Sequence, residues 1–308
     1  MLVLSDFTLS KKYFTLINKQ FANDVNIFPS SNCISFDDLL GFKPVWGNCG
    51  YPKLSSYLMN DSNPKILGMA NTENIIILGD SNSDWSGFDQ ILEMKLNNVK
   101  FQKNKNYHVI NMGVAGYDTY QEANLFFSEA AHISAKLIVL QFTPNDFDFS
   151  PVILTNRDNT YLINSNRFVL KPNQFLFNNS AIYKIILLTN LKNQNNRISK
   201  SEKINKIKNS IIKLNNFAGK KNIAFLAVIY PVFNAGYNNA SKNEIINILN
   251  NLKISFIDLS ENSEFKKSPE NFALKTQAGT DFTHSSRDFD HLVAEEIYRL
   301  AKRKLGLR

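Results

Sequence analysis

Cysteine and histidine are scarce in this chain, and acidic residues are fewer than basic ones; each scarcity narrows the chemistry. The two cysteines, Cys33 and Cys49, are too few for a disulfide framework and lack the spacing and histidine partners of a zinc site. They read as buried thiols, able to pair only if the chain is exported to an oxidising compartment. No apolar run approaches the length of a membrane span, and the first residues, Met-Leu-Val-Leu-Ser-Asp, lack the basic start and apolar core of a signal peptide. A soluble protein is expected, cytoplasmic by default and exported if a leader has been trimmed.

The shortage of acid is local. Between Lys184 and Lys221 ten lysines and arginines face one acid, Glu202, so this segment carries +9 of a formal net charge of +8 and leaves −1 elsewhere. Ile204, Ile207, Ile211 and Leu214 recur there at helical spacing, with Lys203, Lys206, Lys208 and Lys213 mostly off that stripe. A docked helix with a solvated lysine face is the favoured reading. A polyanion or membrane-surface contact is the minority one, since no aromatics interleave with the lysines to stack bases, and no nucleic-acid partner is expected.

With 308 residues, 44% of them hydrophobic, the chain can bury a large core. From residue 74 onward short apolar runs alternate with helical patterns, which predicts βαβ units and a parallel sheet. Strands are predicted at Asn74–Leu78, His108–Met112, Lys136–Phe142, Asn222–Ile229 and Ile254–Leu259. Helices are predicted at about Gly87–Asn97, Thr119–Ser134, Ser201–Ala218, Ser241–Leu252 and Ser286–Leu305. Residues 71–308 form the predicted main domain, and residues 1–70, with the turn-rich stretch Gly41–Gly50, an irregular extension packed on it. An insertion at about 147–180 carries Tyr161-Leu-Ile and Arg167-Phe-Val-Leu-Lys as a small hairpin, placed to serve as a substrate lid.

The run Asn74-Ile-Ile-Ile-Leu-Gly79-Asp80-Ser81 ends an apolar strand at a serine. The carboxyl end of a buried strand is where open α/β sheets place reactive groups, although Gly, Asp and Ser also punctuate ordinary turns. A nucleophilic serine needs a base, and the base an orienting carboxylate. Of four histidines, His108 at a strand start and His132 near a helix end read as structural. His284 lies in a polar turn before the final helix, three residues after Asp281, which can accept from Nδ1–H while Nε2 faces outward. Asp288 and His291 have the same spacing but fall in the first turns of that helix, where they read as ordinary surface residues, so Asp281 and His284 are preferred. Donors for an oxyanion are available after the second and third strands, from the Gly116 N–H and the Asn145 amide, each also readable as turn or cap.

Gly79-Asp80-Ser81, Gly116, Asn145 and Asp281/His284, in this order, resemble the SGNH hydrolases, also called the GDSL-type esterases and lipases. The resemblance spans about residues 74–305. It implies a three-layer α/β/α fold with a five-stranded parallel flavodoxin-like sheet, and no cofactor or metal. It also implies Ser81 as nucleophile, His284 as base, Asp281 as its orienter, and the N–H groups of Ser81 and Gly116 with Asn145 Nδ2 as the oxyanion hole. The chain departs from the family at Asn82, where leucine is usual, and at Thr143-Pro-Asn-Asp, where Gly-x-Asn-Asp is usual. Trp85 stands where similar sequences often carry glycine, and is either a wall of the acyl pocket, with Asp80 nearby, or a core aromatic beneath the first helix. The implied activity is serine-ester hydrolysis of a small acyl group, such as acetyl on a carbohydrate, since no extended apolar surface is evident for long lipids. An O-acyltransferase with the same triad and a non-catalytic carbohydrate-binding relative are the alternatives. Oligomeric state is left open.

Overall fold

The computed structural model describes residues 26–29, 34–45, 72–98, 106–147, 152–155, 160–163, 169–196, 199–233, 240–276 and 279–306. Cys33, Cys49 and most of the amino-terminal 70 residues lie outside them. In chain order the strands are β1 (Asn26–Pro29), β2 (Ile34–Asp37), β3 (Gly41–Pro44), β4 (Thr72–Leu78), β5 (Asn106–Asn111), β6 (Ala135–Phe142), β7 (Val152–Thr155), β8 (Thr160–Ile163), β9 (Val169–Leu170), β10 (Ala224–Ile229), β11 (Ser255–Asp258), β12 (Ala273–Thr276) and β13 (Gly279–Ser285). The α-helices are α1 (Ser81–Asp84), α2 (Phe88–Asn97), α3 (Thr119–Glu129), α4 (Gln174–Asn179), α5 (Ala181–Asn196), α6 (Lys200–Lys221), α7 (Ala240–Asn251), α8 (Ser263–Lys267) and α9 (Arg287–Lys304). The chain divides into two compact units, residues 1–51 with 148–203, and residues 52–147 with 204–308.

In the larger unit all five predicted strands form one sheet in the order β11-β10-β6-β4-β5, each pair parallel. This is the flavodoxin-like order, in which the chain reverses its direction of travel across the sheet at β4. Ile75, Ile76, Ile77 and Leu78 are all 0% exposed, which is why the strand reads as an unbroken apolar run: alternate side chains are covered on both faces. Ile75 and Ile77 pack with Val109, Leu137, Val139, Leu226 and Val228 under Phe88, Leu92 and Leu96 of α2 and Phe289, Val293 and Ile297 of α9. The opposite set, including Ile76, Ile138, Leu140 and Ala227, is equally buried. It faces α3 and α6, whose Phe126 and Phe217 meet edge to face at 5.3 Å. The three-layer α/β/α architecture is therefore the one the sequence predicts.

Helix α6 buries Ile207, Ile211 and Leu214, while Lys208 and Lys213 fall off that stripe and are exposed. Lys213 Nζ stands 4.1 Å from the Phe127 ring centroid, so part of the lysine face is spent on covering an aromatic. Lys184, counted in the same basic segment, is instead buried and 4.9 Å from the Phe177 ring, and burial lowers its amine to about 8. Around it the helices turn apolar residues outward: Phe175, Ile182, Ile185 and Ile186 are 40–69% exposed. The expectation that the chain has no extended apolar surface does not hold in this segment, because α5 points a lysine inward and isoleucines out.

The smaller unit joins what the sequence separates. β1, from the amino-terminal region, pairs in parallel with β7, and β7-β8-β9 continues antiparallel, so the small hairpin is present but shares a sheet with the extension. The insertion's contacts carry the unit to residue 203, beyond the 180 read from sequence. The stretch Gly41–Pro44, read as irregular, is a strand paired with β2. Its turn is closed by Asp37 Oδ1, which accepts from the N–H groups of Leu39 and Leu40 at 2.9 Å each.

Truncating Ile211 to alanine is expected to cost about 2–4 kcal/mol in urea unfolding, whereas Lys208→Gln should stay within roughly 0.5 kcal/mol. Equal effects would mean that α6 is not docked by its isoleucine stripe.

Candidate active site

Strand β4 runs straight into the site. Asp80 caps α1, its Oδ1 accepting from Asn82 N at 2.9 Å, and Ser81 is the first residue of that short helix, 9% exposed. Asp80, read as a possible pocket residue, is 1% exposed. Its Oδ1 also accepts from Gln141 Nε2 at 2.8 Å and its Oδ2 from Thr143 Oγ1 at 2.8 Å, both on or just after β6. Ser83 Oγ donates to Gln141 Oε1, closing the cluster from the helix side. Gln141 and Thr143 carry no motif, and only their position at the end of a buried strand marks them.

His284 arrives from β13, not from the polar turn expected. The pairing of β12 with β13 matches Ala273 to Ser285 but Leu274 to Asp281, so Phe282, Thr283 and His284 bulge out of the ladder. Such a bulge re-aims side chains beside active sites, giving the strand the freedom attributed to a turn. Asp281 holds the bulge at both levels: its Oδ1 accepts from His284 N at 3.3 Å and its Oδ2 stands 2.6 Å from His284 Nδ1. With Nδ1–H donating to the carboxylate, Nε2 is left as an acceptor, and it lies 3.0 Å from Ser81 Oγ. Asn82 Oδ1 accepts from Ser285 N at 3.2 Å, tying the base's strand to the serine's helix. The departure from leucine at position 82 thus supplies a clamp that the sequence reading did not assign.

The other histidines stay apart from this chain of hydrogen bonds. His108 Nδ1 is 2.9 Å from Glu93 Oε2, and His132 is exposed just past α3. Asp288 and His291 are both exposed on the first turns of α9. Asp290 between them is the buried acid of that turn, accepting from Gly87 N at 2.9 Å, and desolvation raises its carboxyl to about 6.

Strands β5 and β6 flank β4, so their carboxyl-end loops open on either side of Ser81. After β5, Val114 N donates to Gly79 O at 3.0 Å and Ala115 N to Asp84 Oδ2 at 3.1 Å, pinning the loop to α1. Gly113 is needed for that approach, since a Cβ there would lie 2.6 Å from Ser83 Cβ and 2.7 Å from Asp84 N. Gly116 follows at φ 80°, a left-handed conformation open to glycine, and is exposed. The capping box of α3, Asp118 with Gln121, fixes the far side of this loop. After β6, Asn145 is exposed in a 3₁₀ turn, Pro144–Phe147, whose preceding Thr143 is bound to Asp80.

Beneath the site is a second acid that sequence reading passed over. Asp146 is 1% exposed; desolvation, with the Asp80 charge adding to it, raises its carboxyl well above the usual range. Thr119 Oγ1 donates to its Oδ2 at 2.5 Å, and its Oδ1 is 3.0 Å from Thr143 Oγ1. Thr143 Oγ1 thus stands between the two carboxylates, at 2.8 Å from Asp80 Oδ2 and 3.0 Å from Asp146 Oδ1. Glu122, also 1% exposed, is raised by burial in the same way. Trp85 closes the site: it is not a core aromatic but 64% exposed, its ring 4.6 Å from that of His284. Among the described residues no group of His, Cys, Asp and Glu is arranged to hold a metal ion.

No protein-family model matches the sequence, and no curated protein does. Solved structures with a similar course of chain include an acetyl xylan esterase, AlAXEase, at 14% identity and TM-score 0.46, covering 74% of this chain and 98% of that one. An acetylxylan esterase from Geobacillus stearothermophilus aligns at 12% identity and TM-score 0.47, over 77% of this chain and 95% of that one. A lipase/acylhydrolase from Enterococcus faecalis aligns at 13% identity and TM-score 0.46, over 75% and 96%. Identities this low and TM-scores below 0.5 leave fold and function to be argued from this chain's own strands and side chains.

For Asp290 the sign of the pH effect follows from its raised pKa. Between its usual 3.8 and about 6 the folded protein keeps a proton the unfolded chain has lost, so stability falls as pH rises through that window. Asp290→Asn removes this titration while an amide oxygen still accepts from Gly87. Relative to wild type the variant is expected to gain on the order of 1–2 kcal/mol in unfolding free energy between pH 4 and pH 7, the full linkage value being reduced by partial solvation. The same difference at both pH values would show that Asp290 does not titrate in this range.

Proposed function

We propose that the protein is an SGNH-type serine esterase working through an acyl-enzyme. The observation that carries this reading is the continuous chain from Asp281 Oδ2 through His284 Nδ1 and Nε2 to Ser81 Oγ, at 2.6 and 3.0 Å. Residues from distant parts of the sequence meet in the order a nucleophile, its base and an orienting carboxylate require.

Ser81 Oγ attacks the ester carbonyl as His284 Nε2 takes its proton, forming the Oγ–C bond. The Asp281 carboxylate holds the imidazole in the required tautomer and stabilises its positive charge. The oxygen that becomes negative is taken by the N–H groups of Ser81 and Gly116 and by Asn145 Nδ2, which the loops of β5 and β6 carry to the two sides of the serine. Collapse breaks the bond to the alcohol oxygen, which leaves with the proton held on Nε2. A water then repeats the sequence on the acyl-enzyme, giving the free acid and restoring Ser81.

A small acyl group, as in acetylated carbohydrates, is the substrate class proposed. The residues next to Ser81 are Asp80, Asn82, Ser83 and Asp84, three of them buried.

Short-chain ester hydrolysis is expected to fall by on the order of 10⁴-fold or more in Ser81→Ala and His284→Ala. Asn145→Ala should slow kcat about 100- to 1000-fold with little change in KM. His291→Ala should leave turnover unchanged; an inactive His291 variant beside an active His284 variant would transfer the base to the other histidine.

A further inference from the structure

The proposed mechanism leaves Trp85 without a task, yet its place is closely determined. Its N–H donates to Ser81 O at 3.0 Å as the last bond of α1. Residues four apart on a helical turn share a face, so the Trp85 side chain leaves α1 on the same side as Ser81 Oγ. There its ring lies 4.6 Å from the His284 ring at an interplanar angle of 35°, with 64% of the residue open to solvent. Folding gains little from an indole in this position, since most of its apolar area stays wet.

Acyl transfer assigns a side to each part of the ester. The proton taken by His284 Nε2 goes to the departing alcohol oxygen, which has to come within about 2.6–3.2 Å of Nε2. The carbonyl oxygen is directed to the donors Ser81, Gly116 and Asn145. What neighbours the imidazole is therefore the alcohol half of the substrate. An indole in contact with that imidazole borders the alcohol, not the acyl tail.

We infer that Trp85 forms the alcohol subsite, and that its open face takes the ring of a saccharide carrying the ester. This rests on the serine esterase reading. A pyranose has a flat face of C–H groups, weakly positive at hydrogen, which matches the negative π face of indole; its hydroxyls stay at the edge in water, as the exposure of Trp85 allows. The assignment replaces both sequence readings of Trp85, the acyl wall and the core aromatic, with a place on the alcohol side. Asp80 and Asn82 hold no part of this subsite, being buried.

Two substrate series separate the possibilities. With acetyl constant, wild type, Trp85→Ala and Trp85→Phe are compared on ethyl acetate and on a monoacetylated methyl xyloside. With ethanol constant, they are compared on ethyl acetate, propionate and butyrate. Trp85→Ala is expected to lower kcat/KM about tenfold on the acetylated xyloside, mainly through KM, with Trp85→Phe recovering part of the loss. Ethyl acetate turnover should fall less than turnover of the acetylated xyloside, and the ranking of acyl lengths should not move. An altered acyl ranking with an unchanged xyloside preference overturns the inference in favour of an acyl wall, and no change in either series overturns it outright. Ester turnover that survives in Ser81→Ala defeats the serine reading itself, and the alcohol subsite with it.

Discussion

The site hangs on one buried carboxylate. Asp80 accepts from Asn82 N, Gln141 Nε2 and Thr143 Oγ1 at 2.8–2.9 Å, so a single side chain fastens the start of the serine helix to the strand beside it and to the loop bearing Asn145. Three donors satisfy a charge that burial would otherwise make costly. Because β4 and β6 are hydrogen-bonded neighbours, the distance that Asp80 spans is set by the sheet. The proposed nucleophile and one proposed oxyanion donor thereby inherit the rigidity of the core.

The proposed base is positioned by a different device. His284 lies in a bulge of a two-stranded ladder outside the central sheet, and such an edge is mobile unless tied down. Asp281 closes the bulge on itself through both backbone and ring, and Asn82 anchors the next residue, Ser285, to α1. Asn82 therefore links the two halves of the site, with its N–H given to Asp80 and its side-chain oxygen to the strand of the base. Leucine at this position would leave Ser285 N without that acceptor.

Beneath the site, acids are packed closer than their charges allow. Asp80, Asp118, Glu122 and Asp146 are all buried, and desolvation raises the carboxyls of Asp146 and Glu122 well above the usual range, with neighbouring carboxylates reinforcing the effect. Asp80 is the one that collects three donors. Asp146 bridges Thr119 and Thr143, and so links the start of α3 to the Asn145 loop. A buried polar network of this kind specifies geometry when its bonds are made.

The strands, the helices and the four separated polar signals were legible in the sequence because each depends on local pattern. Unbroken apolar runs mark strands covered on both faces, helical spacing marks α6 and α9, and Asp281 precedes His284 by one turn's reach. Ser81 and His284 could be named for the same reason, since the chemistry restricts residue type. Tertiary structure alone decided the rest, because it depends on which chain segments lie side by side. Strand pairing brought Gln141 and Thr143 under Asp80, and a ladder mismatch made a bulge where a turn was read. β1 pairs with β7 across more than a hundred residues, a contact that no periodicity announces. Folding, not sequence, raised the Asp146 carboxyl by burial, put Lys184 inside and left isoleucines outside, and set Trp85 in the open beside His284. The sequence by itself determined which residues could do the chemistry; their distances, charges and exposure came only with folding, because each is a property of neighbours that the chain order does not specify.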